Sequence, residues 1–194
     1  MGLILKKEFL NGLKLFEPKV FYDDLGFFME SFRSDEFAAL DLPYEFVQDN
    51  HSQSKKNVFR GLHFQWDKPQ GKLIRVTRGS AMFFELDIRH DSETLGKHIK
   101  VELNEENKFI LWVPPGFANG FLSLADNTDV LYKCTAVWNG KAEGSIRWND
   151  PSLRIDLGIE LPVISDKDKH APTLAEWLHR PESKAFCINK MRKQ

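Results

Sequence analysis

His63 stands between two cations, Arg60 and Lys72, within residues 57–79. The segments around it alternate polar and apolar residues and are broken by Gly61, Gly71 and Gly79. A neutral imidazole beside fixed positive charge suits a site that removes a proton and holds the anion left behind. A base of this kind needs a carboxylate to orient its second ring nitrogen. Metal chemistry fits the pattern poorly, because a histidine-based metal site draws on two or three histidines and usually a carboxylate at set positions. Position 65, where a His-x-His partner belongs, is Gln65, and His51, His90, His98, His170 and His179 show no ligand spacing. The expectation is no metal.

The elements that must position these residues are short. At 194 residues the chain fits one domain and is long enough to bury a real core, to which sixteen Phe and five Trp contribute. From about residue 20 to 148 short apolar runs are separated by turn residues, the spacing of an all-β sandwich or barrel. Residues 82–89 read as a long strand, and 97–103, 109–113 and 130–135 as shorter ones. Residues 34–40 read as a short helix with Ser34 as N-cap and acidic residues in its first turn. A second helix starts near Pro172 and carries Leu174, Trp177 and Leu178 on one face. These elements make one domain over residues 1–180, followed by a polar tail over 181–194 that is expected to be loosely ordered. A net charge of −1 argues against nucleic-acid and membrane-surface partners. Cys134 and Cys187 fall outside any Cys-x-x-Cys pattern and are expected as free thiols in a reducing compartment. The apolar run at the N-terminus is too short for a signal peptide and no run approaches a membrane span, so a cytoplasmic location is expected.

Residues 57–79, together with Pro114-Pro115-Gly116-Phe117-Ala118-Asn119-Gly120-Phe121, resemble the dTDP-4-dehydrorhamnose 3,5-epimerase family over about residues 5–178. The resemblance implies the double-stranded β-helix jelly roll of the cupin superfamily, with a few short peripheral helices. It implies a cofactor-independent isomerase acting on a nucleotide-diphosphate sugar, and a homodimer that exchanges N-terminal strands. His63 then matches the base that removes a proton next to the C4 ketone of the sugar. Lys72 matches the residue that stabilises the enolate oxygen, and oxyanion donors of this type are worth about 2.7–4 kcal/mol each. Asp168, rather than Asp166, matches the aspartate that orients the histidine. Arg60 matches a diphosphate contact, and Gln48 and Asn50 match the amides that read the thymine edge. Phe28 and Glu30 match a strand that reaches into a partner's site. Asn119, Trp138 and Lys167 complete the implied substrate-binding set.

Three positions depart from the family pattern. Its Asp-x-Arg-Gly reads Asp23-Asp24-Leu25-Gly26, its Ala-His-Gly-Phe reads Ala118-Asn119-Gly120-Phe121, and its proton-donating tyrosine falls by ungapped alignment on Trp138. An indole N–H is no general acid near neutral pH. Tyr132 looks too distant to replace it, since six residues of strand span about 20 Å. The expectation is therefore deprotonation without efficient protonation from the opposite face: inversion at one carbon, a shift to a 3-keto isomer, or binding without turnover. The readings to separate are an epimerase, a 3,4-ketoisomerase and a non-catalytic nucleotide-sugar-binding homologue.

Overall fold

The structure, a computed structural model, describes residues 2–188. β1 (Leu3–Phe9), β2 (Leu13–Pro18), β3 (Val20–Asp23) and β4 (Gly26–Met29) precede helix α1 (Ser34–Ala39). β5 (Gln48–Ser54), β6 (Phe59–Gln65), β7 (Lys72–Arg78) and β8 (Ser80–Asp87) follow, then β9 (His98–Asn104), β10 (Ile110–Val113), β11 (Phe117–Ser123), β12 (Thr128–Cys134) and β13 (Glu143–Ser145). Two sheets face each other, one in the order β1-β2-β10-β7-β12-β5 and the other β13-β6-β11-β8-β9, while β3 and β4 pair as a separate hairpin. All these strand pairs are antiparallel. The fold is the all-β jelly roll expected from the sequence.

β8 explains why a further layer is needed. Successive side chains of a strand point to opposite faces, and on β8 both faces are apolar. Ala81 and Phe83 join the core between the sheets with Ile74, Val76, Phe117 and Phe121. Phe84, Leu86 and the adjoining Ile88 join an outer core with Phe64, Trp177 and Phe186. Fully burying a Phe side chain is worth about 1.5–3 kcal/mol, so covering the outer face contributes substantially. The C-terminal region does this through α2 (Asp166–Lys169), α3 (Leu174–Leu178) and a 3-10 helix over Pro181–Phe186. Leu174 and Trp177 are buried, as the helical spacing predicts.

The expected tail is corrected here. Instead of a loose segment from residue 181, the chain is ordered through Ile188 because Phe186 anchors it. Phe186 is 1 % exposed and its ring lies 5.5 Å from Phe64 and 6.2 Å from Trp177. Residues 189–194 of that tail lie outside the described residues. Helix α1 is also adjusted: Ser34 is its first helical residue, and Arg33 at the cap position makes no side-chain cap bond. The side chain of Arg33 is engaged with Asp35 and Glu30 instead. Ser165 and Thr173 cap α2 and α3, and Thr173 forms a reciprocal capping box with Glu176.

One close approach sets the site. Gly61 on β6 has φ +139°, and a Cβ there would lie 2.5 Å from the Gly120 Cα of β11. Two glycines thus let β6 and β11 touch backbone to backbone, where the pairing register shifts between Asn119 and Phe121. This shift brings His63 opposite Asn119.

Candidate active site

Period-two alternation places the polar inner face of the barrel. On β12, Val130, Tyr132 and Cys134 turn inward; on β7, Lys72 and Ile74; on β5, Asn50 and Ser52. His63 and Arg60 of β6 and Asn119 of β11 meet them from the other sheet. Arg60, His63, Lys72, Asn119 and Tyr132 line one cavity of about 150 Å³, with Phe83 and Phe121 supplying apolar wall.

His63 is held by Asp168. Nε2 of the ring lies 2.6 Å from Oδ1 of the carboxylate, and Asp168 is 3 % exposed against 28 % for His63. Burial pushes the Asp168 carboxyl up, but hydrogen bonds from His63, Ser165 and the Gly61 backbone outweigh it and hold it below the ordinary carboxylate range. Asp168 is therefore ionised and accepts only. The His63 Nε2–H donates to it, and the lone pair is left on Nδ1.

Lys72 is partly buried, and loss of solvent pushes its ammonium below the usual lysine range, while Cys134, Glu85 and Glu143 pull it back up. Its Nζ lies 5.6 Å from the centre of the Tyr132 ring. Burial pushes the Tyr132 phenol up as well, so it stays protonated and able to donate. Beneath Asn119 lies Glu85 of β8, which accepts a short hydrogen bond from Asn119 Nδ2. Burial raises the Glu85 carboxyl well above the ordinary range, against the hydrogen bond from Asn119 and the charge of Lys72.

The other predicted residues fall into four groups. Arg60 lines the cavity and is steadied by Nε donating to Ser54 Oγ at 3.0 Å. Gln48, Asn50 and Trp138 form a chain: Gln48 Nε2 donates to Asn50 Oδ1 at 3.0 Å, and Gln48 Oε1 accepts the Trp138 backbone N–H at 2.7 Å. Lys167 lies apart in an ion pair with Glu143 at 2.6 Å. Phe28, Glu30 and Leu25 belong to the β3–β4 hairpin and its flank, outside the His63 cavity; Phe28 is 65 % and Leu25 97 % exposed.

Trp138 and Tyr132 occupy different places. The Trp138 side chain is 58 % exposed and does not line the cavity, whereas Tyr132 does. Distance along the strand from 132 to 138 does not decide this. What matters is the face of β12 and the strand across the barrel, and Tyr132 shares its face with Val130 and Cys134. That alternation was readable in Val130-Leu131-Tyr132-Lys133-Cys134. Glu85 was missed because a single acid in the run Phe83-Phe84-Glu85-Leu86 carries no motif. Among the described residues, no group of three or more His, Cys, Asp or Glu side chains is arranged to hold a metal ion.

The jelly roll thus sets a carboxylate-oriented histidine and a tyrosine on opposed sheets across one cavity that Lys72 also lines, an arrangement suited to removing a proton from one side and returning it from the other. A family model described as dTDP-4-dehydrorhamnose 3,5-epimerase matches residues 7–176. The chain belongs to that family. A dTDP-4-dehydrorhamnose 3,5-epimerase of Salmonella typhimurium is 45 % identical over 179 residues, 91 % of this chain and 98 % of that one. The Legionella pneumophila dTDP-6-deoxy-D-glucose-3,5-epimerase, solved with dTDP-4-keto-L-rhamnose, superposes with TM-score 0.88 at 40 % identity, covering 93 % of this chain and 96 % of that one. A 3'-monoepimerase of Streptomyces bikiniensis, solved with dTDP-quinovose, gives TM-score 0.81 at 30 % identity over 86 % of this chain and 85 % of that one.

Proposed function

We propose that this protein inverts C3 and C5 of a dTDP-linked 4-keto-6-deoxyhexose without a cofactor. The observation that carries the reading is the placement of His63 and Tyr132 on opposed sheets across one cavity. The Nδ1 lone pair of His63 takes the proton next to the ketone. Charge that develops on the C4 oxygen meets the Lys72 ammonium, which lines the same cavity. Tyr132 then delivers a proton from the other side, and the carbon inverts. With Tyr132 in this role both carbons can invert, in place of the single-carbon inversion expected from Trp138. The relatives solved with dTDP-sugars support the choice of substrate class.

The substrate's remaining parts have matching partners. Arg60 suits the diphosphate, for which a guanidinium gives bidentate contact. The linked amides of Gln48 and Asn50 suit the edge of a thymine, and the exposed Trp138 ring suits its face. A homodimer follows from the β3–β4 hairpin, whose Phe21, Tyr22, Phe27 and Phe28 are all more than half exposed. Such a cluster needs a cover, and a second copy provides one while bringing Phe28 and Glu30 toward its neighbour's site. Sedimentation at micromolar concentration tests this: a dimer is expected, and a monomer removes the strand-exchange reading. No helix among the described residues is long and apolar enough to cross a membrane, in keeping with a cytoplasmic enzyme. The chemical reading is tested by NMR of dTDP-4-keto-6-deoxyglucose in D₂O with Tyr132→Phe. Deuterium should still enter while inversion collapses; unchanged inversion removes Tyr132 from the role.

A further inference from the structure

Glu85 is wholly buried, and its Oε2 has no hydrogen-bond partner among the described residues. Oε1 accepts the Asn119 amide. Register explains how it comes to lie there. Asn119 pairs with His63 on one side and Glu85 on the other, so the three form a row across β6, β11 and β8. On β9 the residue opposite Glu85 is Ile99, which offers no side-chain donor. The cation that faces the row is Lys72, on the opposed sheet.

A buried ammonium gives up its proton readily unless negative charge lies near it. Around Lys72 stand Tyr132 and Cys134 from β12, Glu143 from β13, Glu85 from β8, and His63 and Arg60 from β6. Of the two carboxylates, Glu143 is already engaged by Lys167. Lys72 is the charged group whose field reaches Glu85. We propose that Glu85 is a positioning residue of this site: it is the internal counter-charge that keeps Lys72 cationic at the pH where His63 accepts a proton, and the acceptor that orients Asn119. The inference rests on the epimerase reading for its consequence, but the pair itself is measurable without turnover. Burial disfavours each charge separately and their mutual attraction opposes it, so removing one charge must move the titration of the other.

Glu85→Gln keeps the shape and the acceptor for Asn119 and removes only the charge. In the full-length variant, the Lys72 ammonium is titrated by ¹⁵N NMR, and the pH profile of deuterium exchange into dTDP-4-keto-6-deoxyglucose is recorded. The Lys72 midpoint should fall by about one pH unit or more, with exchange at the wild-type alkaline midpoint down about fivefold. Affinity for dTDP should stay within about twofold, since Glu85 touches no substrate in this reading. A Lys72 midpoint that does not move overturns the proposal, whatever the activity. A wild-type protein that shows no exchange, in which Glu85→Gln nevertheless lowers the Lys72 midpoint, sinks the epimerase reading and leaves the pair standing. Should Glu85→Gln fail to fold, the Glu85 carboxyl is followed by ¹³C NMR in wild type and Lys72→Met. Its midpoint must rise when the lysine charge is lost, and an unmoved midpoint is equally fatal.

Discussion

In the proposed mechanism His63 and Tyr132 divide the chemistry between the two sheets, and each has a separate signature. His63→Asn should abolish deuterium wash-in, because His63 is the imidazole in the cavity that a buried carboxylate orients; dTDP affinity should hold, since the proposed nucleotide contacts lie at Arg60, Gln48 and Asn50. Tyr132→Phe should leave wash-in and lower inversion by about 10²–10⁴-fold, the usual worth of a positioned general acid. Trp138→Ala separates the two readings of that residue. Loss of a stacking face costs about 1–3 kcal/mol in nucleotide affinity, with the inversion rate at saturation unchanged. If the inversion rate itself collapses, Trp138 belongs to the chemistry after all. His63, Asp168 and Lys72 were identifiable from the sequence because each sits in a local motif. Tyr132 was passed over because its place depends on which face of β12 it occupies, a property of the strand rather than of neighbours in sequence.

The contact between β6 and β11 is the element on which the cavity depends. Gly61→Ala would place a methyl group against the Gly120 backbone and force a residue with a Cβ into φ +139°. Strain of this kind costs about 1–3 kcal/mol, so its urea midpoint should drop while a distant surface change leaves it unmoved. Activity should fall further than stability, since the same contact sets His63 against Asn119. At this scale the sequence was read well where alternation or spacing is strong. The strands predicted at 97–103 and 109–113 lie within a residue of His98–Asn104 and Ile110–Val113, and Leu174 and Trp177 anchor α3 as their spacing required. It was read poorly where tertiary packing overrides polarity. The segment after Arg180 looks solvated, yet Phe186 docks it to the outer core beside Trp177.

For the whole molecule, buried acids set the response to pH. In Asp87 and Asp168 burial raises the carboxyl, yet hydrogen bonds overcome it and hold both below the ordinary range; Arg89, Ser92 and Thr94 do this for Asp87. A carboxyl depressed in the folded state contributes stability above its unfolded value, about 3.9, and loses it as pH falls through the folded value. Below about pH 4 the urea midpoint should therefore decline, and Asp87→Asn should flatten that decline. A midpoint that rises as pH falls below about 4 contradicts the assignment of these two groups. The fold, the His63–Asp168 pair and Tyr132 all converge on one measurement: NMR of dTDP-4-keto-6-deoxyglucose incubated with the unmodified protein in D₂O. Deuterium at C3 and C5 and a product inverted at both carbons are expected. A product that exchanges deuterium but keeps its configuration at either carbon would contradict this reading.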